Sequence, residues 1–444
     1  MKDSVTQEEL CRFRGNFEKE RGNRASMAAV TNAGIHAASK NQAVFRTMLH
    51  EYSINLTPGR ATEQKQSGRC WMFAAMNVLR YHLMHKLNLG NFELSQNYTL
   101  FYDKLEKSNY FLENILETLE EPTDGRILSW LLKSPLGDGG QWDMICSIID
   151  KYGVVPKYAM PETAVSSMTK EMNGYLTEKL REYACRLRTA YKKGESQENL
   201  RGKKEEMLDE VYRILCICLG EPPETFDFET TGKNGKFYRE GGLTPREFYK
   251  KYIDLDLDEY VSIIHAPTAD KPFHKSYTVK FLGNVREGRQ VRYLNLEIDE
   301  LKRLAIGQLK DGIPVWFGCD VGKASSREDG ILDLSIYNLK DLLGTEFTMT
   351  KAERLEYGQS KMSHAMVFQG VNLEENGKPN RWRVENSWGE GRGKDGFFVM
   401  SDRWFDEYMY QVVVKKSYLT EAERREYESA PILLDPWDPM GALA

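Results

Sequence analysis

The sequence predicts an α+β fold, and three observations lead there. Apolar positions at helical spacing dominate the first 255 residues, and short β-branched or aromatic runs dominate the remainder. A 41% share of hydrophobic residues over 444 positions supplies apolar surface for a large core, which excludes a mostly disordered chain. Helices and strands segregated along the chain, rather than alternating, mark the α+β class. At about 150 residues per domain the length fits two to three domains or one elaborated unit.

The first 50 residues read as helix, with Leu10, Phe13 and Phe17 three to four positions apart. Thr57-Pro58-Gly59 reads as a turn and Thr62 to Gly68 as a polar loop. Cys70 to Lys86 is a strongly apolar helix, and a second helix is expected around Ser95 to Leu105. Leu136 to Gly140 is a tight glycine loop, followed by a helix over Trp142 to Tyr152. From Glu162 to Tyr238 the chain is charge-dense and reads as helical, within a candidate inserted subdomain over 162–255. Strands are expected at Tyr260–His265, Tyr277–Phe281, Val291–Leu294, Val315–Cys319, Ala365–Val371, Trp382–Glu385 and Phe397–Met400. These give a helical half over 50–160, a β-rich half over 256–415, and an apolar, proline-punctuated tail over 431–444.

Lys+Arg number 61 and Asp+Glu 66, a formal charge of −5 that offers no global attraction to nucleic acid or anionic membrane. Lys192, Lys193, Arg201, Lys203 and Lys204 form a basic cluster, but Glu195, Glu198, Glu205 and Glu206 interleave with it, so a solvated helix face is the favoured reading. The longest apolar runs fall far short of the roughly 20 residues of a membrane span. Met1 to Arg14 is polar, without the apolar stretch of a secretory signal. Seven cysteines, an odd count without zinc-type spacing, point to reduced thiols in a cytoplasm-like compartment.

The sharpest segment is Gln64-Lys65-Gln66-Ser67-Gly68-Arg69-Cys70-Trp71, a polar loop delivering a cysteine to the first turn of an apolar helix. Free N–H groups at a helix start stabilise a thiolate, and this is expected to lower the Cys70 pKa. The same groups, with an amide donor such as Gln64, could receive an oxyanion. A small buried hydrophobe is the equal alternative for Cys70 from this segment alone. A thiolate nucleophile needs a base, and the base an orienting partner. His364 opens an apolar strand, and 22 residues later Asn386 ends another, followed by Ser387-Trp388-Gly389. An Asn accepting the imidazole N–H fixes its tautomer, and Trp388 could shield that bond. Taken singly, a strand-end His and a turn Asn make only local hydrogen bonds.

Together, Gln64, Cys70-Trp71, His364-Ala365 and Asn386-Ser387-Trp388-Gly389 resemble the papain-like cysteine peptidases, and more closely their bleomycin hydrolase / aminopeptidase C branch. Glu93-Leu94-Ser95-Gln96, Phe101-Tyr102-Asp103-Lys104-Leu105-Glu106-Lys107, Asp138-Gly139-Gly140-Gln141-Trp142-Asp143-Met144 and the tail Trp437-Asp438-Pro439-Met440-Gly441-Ala442-Leu443-Ala444 extend the resemblance over the whole chain. Two features depart from the secreted papain pattern. Cys70 and His364 stand 294 residues apart, about twice the usual separation, and Gly68-Arg69 replaces the pair before the nucleophile. Both fit the branch with a helical insertion.

The resemblance implies a papain-like fold with Cys70 as nucleophile, His364 as base and acid, Asn386 as orienter and Gln64 as oxyanion donor, Gln66 being the rival for the last role. It implies that Gly139 and Gly140 hold the substrate backbone, that Trp388 also contacts the substrate, and that the carboxylate of Ala444 faces the substrate ammonium. The expected activity is therefore a cysteine aminopeptidase acting on peptides with a free N-terminus, with no metal or organic cofactor, assembled as a homohexameric ring. A cysteine endopeptidase of the same fold, or a nucleic-acid-binding ring with incidental peptidase activity, is the alternative. Other patterns carry less. Gly391, Gly393 and Gly396 match a phosphate-loop spacing, but a strand rather than a helix follows. His82 and His85 lack a third ligand, and Asp254, Asp256, Asp258 and Glu259 lack the glycine of a calcium loop.

Overall fold

A computed structural model describes residues 3–443 of the chain. Ala444, expected to carry the terminal carboxylate, lies outside the described residues. The opening 50 residues are four short helices rather than one helical run: α1 (Gln7–Lys19), α2 (Arg21–Ala33), α3 (Ile35–Ser39) and α4 (Gln42–Thr47). Gly34, at φ 84°, breaks the run between α2 and α3, where a side chain would be strained. A capping box between Thr6 and Glu9 starts α1. No residue of α1 or α2 is buried, and Leu10, Phe13 and Phe17 are exposed.

The helical half is built on α5 (Cys70–Leu87), buried around nearly its whole circumference because its sequence is apolar on every face. Against it pack α6 (Gln96–Glu117) and α8 (Trp142–Tyr152), and α7 (Arg126–Lys133) packs on α6. Ser95 caps α6 at 3.0 Å from the Tyr98 amide. This helix runs well past Leu105, since Phe111, Leu112 and Ile115 continue its buried stripe.

Two long helices follow, α9 (Lys170–Lys192) and α10 (Gln197–Leu219). Their buried stripes, including Leu180, Leu187, Val211 and Leu215, join the same core as α5 and α6. The helical reading through Tyr238 is corrected: Gly220, at φ 87°, ends α10, Pro222 and Pro223 prevent its resumption, and β2 (Phe226–Thr231) pairs with β3 (Phe237–Leu243) as an antiparallel hairpin. Arg201 and Lys204 of the basic cluster both bind Glu113, at 2.9 and 2.5 Å, and Lys203 reaches Glu195 at 3.4 Å.

The second half is one large sheet. Its strands are β4 (Tyr260–Ile264), β5 (Lys275–Val279), β6 (Tyr293–Asn295), β7 (Val315–Cys319), β8 (Ser325–Ser326), β9 (Ile331–Leu332), β10 (His364–Leu373), β11 (Pro379–Glu385), β12 (Phe397–Ser401), β13 (Met409–Lys415) and β14 (Ile432–Leu434). The spatial order is β14-β5-β6-β4-β13-β7-β10-β11-β12-β9-β8, with the short β1 (Ile54–Asn55) added to β10. Sequence periodicity missed β13, although it lies at the sheet's centre between β4 and β7. A second core, with Phe317, Phe368, Trp382 and Phe405, fills this half. The two halves meet where α5 packs on β7 and β10, and Trp316 Nε1 donates to the Trp71 carbonyl at 3.2 Å.

Candidate active site

Cys70 is the first residue of α5 and 3% exposed. The loop before it is fastened to the segment after β11. Gln64 N donates to Ser387 O at 2.8 Å and Gly389 N to Thr62 O at 3.0 Å. Gln64 is buried, its Oε1 accepting from Ser387 Oγ at 2.6 Å and its Nε2 donating to Ser67 O at 2.5 Å. An amide nitrogen carries two protons, so one donor remains beyond the Ser67 bond. Gln66, the rival, is exposed, and its backbone is drawn to Ser167 O at 2.9 Å.

His364 begins β10 opposite Cys319 of β7. Its Nε2 lies 2.9 Å from Asn386 Oδ1, which also accepts from Ser387 N at 2.8 Å. An amide oxygen can only accept, so Nε2 carries the proton and Nδ1 is the bare nitrogen of the neutral ring. Trp388 covers this bond, its ring centroid 4.9 Å from that of His364. The Ala365 N–H, next to His364, is among the backbone groups that favour the Cys70 thiolate.

Burial pushes the Cys70 thiol up to about 11, against the Ala365, Trp71 and Cys70 N–H groups, which pull it down. The expectation that the helix start alone lowers this pKa is corrected: desolvation outweighs the amides. Burial likewise drives His364 down to about 4, although the bond to Asn386 favours the protonated ring. Neither group is charged alone at neutral pH. A proton passing from sulfur to imidazole would create an ion pair in which each charge lowers the desolvation cost of the other.

Gly139 and Gly140 lie beside this helix. Gly139 O accepts from Lys107 Nζ at 2.7 Å, so that carbonyl is already engaged within the protein. At Gly140 a Cβ would stand 2.5 Å from the Trp71 indole, so glycine is required by packing against the residue after Cys70. The tail is seated here as well. Asp438 pairs with the buried Lys271 at 2.9 Å, Met440 is buried, and Arg126 stacks 3.6 Å from the Trp437 ring centroid. Gln141 Nε2 donates to Ala442 O at 2.7 Å. At Ala442 the arm thus rests against the residue that follows Gly140.

A buried thiol, a histidine held by an asparagine and a covering tryptophan are the parts of a cysteine peptidase, and comparison with known proteins agrees. The model of the Peptidase C1-like family matches residues 4–441. The chain belongs to that family. Aminopeptidase C of Listeria innocua is 50% identical, with all of both chains covered. Bleomycin hydrolase of Mus musculus is 43% identical over 86% of each chain. The crystal structure of pepw from Lactobacillus rhamnosis HN001 superposes with a TM-score of 0.98 at 51% identity, covering 100% of both chains. The fold is papain-like α+β, and the protein is a hydrolase of the cysteine aminopeptidase kind.

Several residues that hold this peptidase site together were not singled out from sequence. Arg69, its side chain fully buried, forks onto Glu162 at 3.0 and 2.7 Å and donates Nε to Ser67 Oγ at 2.8 Å. Ser67 Oγ in turn donates to Gln64 O at 2.6 Å, so a chain of polar contacts runs from Glu162 to Gln64. Asp138 accepts from Gly68 N at 2.8 Å and from Lys104 at 2.6 Å, fixing the turn before Cys70. The arginine where papains carry a small residue was the available signal.

Proposed function

We propose that this protein removes single residues from the free N-termini of peptides through a Cys70–His364–Asn386 triad. The observation that carries the reading is the C-terminal arm held by Gln141 beside the Cys70 helix. On this reading a peptide bound across Cys70 extends only one residue toward the arm. The terminal carboxylate of Ala444 is then assigned the ammonium of that residue, with Gly140 on the arm's side of the site and Trp388 on the side of the departing peptide.

The chemistry is acyl transfer. Cys70 sulfur, having given its proton to His364 Nδ1, attacks the first peptide carbonyl, and the oxyanion takes donors from Gln64 Nε2 and the start of α5. The C–N bond breaks as His364 returns the proton to the leaving amine. Water, deprotonated by the same imidazole, then hydrolyses the thioester and frees the amino acid and Cys70. Asn386 keeps the ring in the tautomer this requires.

We also propose a homohexameric ring, a reducing cytoplasmic setting and no nucleic-acid partner. Exposed Leu10, Phe13 and Phe17 on a helix with no buried residue support self-association, since such a helix gains its stability from packing. Seven free thiols suit a reducing compartment. The acid partners of Arg201, Lys203 and Lys204 argue against a phosphate-binding face. Sedimentation at micromolar concentration tests the ring, and a monomer would overturn it. Appending five residues after Ala444 tests the arm: removal of single residues should weaken while N-blocked peptides become substrates, and unchanged exopeptidase rates would contradict the reading.

A further inference from the structure

Beside Trp388 a cavity of about 1230 Å³ opens between α3, the loop before α5, residues 164–168 and the loop 322–329. Its charged walls largely neutralise one another. Lys40 holds Asp329 at 2.9 Å, Lys65 holds Glu63 at 2.5 Å, and Arg392 reaches Glu328 at 3.4 Å. Arg327 is left over: it lines the cavity, and no acid among the described residues pairs with it. Its guanidinium carbon stands 4.9 Å from the Trp388 ring centroid, and that ring stands 4.9 Å from His364. The positive charge is near enough to help disfavour protonation of His364, behind the larger effect of burial.

The arm is seated at Gln141 and none of its described residues lines this cavity, so on the aminopeptidase reading the departing part of a peptide runs toward Trp388 and this cavity. An extended residue advances about 3.3–3.6 Å, which puts Arg327 within roughly two to three residues of the cleaved bond. A guanidinium stacked on an aromatic face keeps its N–H edge free, and its fork matches a carboxylate. We propose that Arg327 is a specificity-determining residue that binds a carboxylate of the departing peptide. That carboxylate is either the C-terminus of a short peptide or an acidic side chain near the cleaved bond. The proposal rests on the aminopeptidase reading above.

The test is a ratio of kcat/KM values on matched substrates: Ala-Gly-Gly against its C-terminal amide, and Ala-Asp-Gly amide against Ala-Asn-Gly amide. The wild-type protein should favour the carboxylate member of at least one pair by about tenfold, mainly through KM. Arg327→Gln should bring that ratio close to one, and Arg327→Lys should restore part of it. A response in the first pair identifies the C-terminal carboxylate, and in the second the acidic side chain. Wild-type ratios near one in both pairs, or a preference that survives Arg327→Gln, would overturn the proposal. Because each ratio compares substrates on one protein, loss of folded enzyme cannot imitate the result. Failure of the wild type to cleave alanyl p-nitroanilide, with Cys70→Ala as blank, would instead strike the aminopeptidase reading.

Discussion

Arg80 and Glu385 join the two halves of the molecule through a buried ion pair, Arg80 Nη2 standing 2.5 Å from Glu385 Oε1 with side chains 2% and 0% exposed. Arg80 belongs to the helix that carries Cys70, and Glu385 immediately precedes Asn386. The remaining groups are satisfied: Arg80 also donates to Arg60 O and Phe92 O, and Gln369 Nε2 donates to Glu385 Oε2 at 2.6 Å. The pair therefore sets the position of Asn386 relative to the nucleophile.

Arg80→Met leaves Glu385 buried without its cation. We expect a loss of about 3–5 kcal/mol, read by denaturant unfolding, with the double variant Arg80→Met/Glu385→Met recovering much of it. Equal losses in the single and double variants would show that packing, not the uncompensated charge, is responsible.

The pH profile follows from His364. Burial holds it down to about 4, with the Asn386 bond opposing that shift, so the base stays unprotonated well below the ordinary value near 6.5. The acid limb of kcat/KM should have its midpoint below 6.5. Asn386→Ala removes a bond that favours the protonated ring, so the limb should move further to acid while kcat falls by about tenfold or more. A limb that moves toward neutrality would contradict the orienting role.

Gln64 and Gln66 separate by rate. Gln64→Ala should lower kcat by about 10²–10³ with KM little changed, the signature of a donor used in the transition state. Gln66→Ala, altering an exposed side chain, should leave kcat close to wild type. The reverse pattern would exchange the two assignments.

Asp138 supplies an acid-stability prediction. Burial opposes its charge, but Lys104, Thr169 and Asn173 outweigh that and hold the carboxyl well below the usual range. A folded-state pKa below the unfolded value contributes stability above about pH 4 that is lost as pH falls further. Asp138→Asn should therefore unfold more easily at pH 7, by about 3 kcal/mol, with the difference from wild type shrinking below pH 4. A difference independent of pH would remove the ion pair from the explanation.

Much of the chemistry was legible because it sits in local pattern. A polar loop ending in Cys70 at an apolar helix, a histidine opening a strand and an asparagine ending one are each visible within ten residues. The supports were hidden because they are long-range. Nothing near Arg80 announces Glu385, and nothing near Arg69 announces Glu162, since buried ions find their partners only when the halves close. The hairpin at 226–243 was masked by the charge density of the helices before it, and β13 by its place directly after a short charged helix. Burial also reversed the expected direction of the Cys70 shift, because a sequence reveals the helix start but not the desolvation around it.

The measurement that bears most directly on the central claim compares an aminoacyl amide with its N-acetylated twin, under reducing conditions with Cys70→Ala as blank. The account predicts that only the free amine is cleaved, and that cleavage is lost in the variant. Equal cleavage of both by the wild-type protein would contradict an arm that counts one residue from the N-terminus.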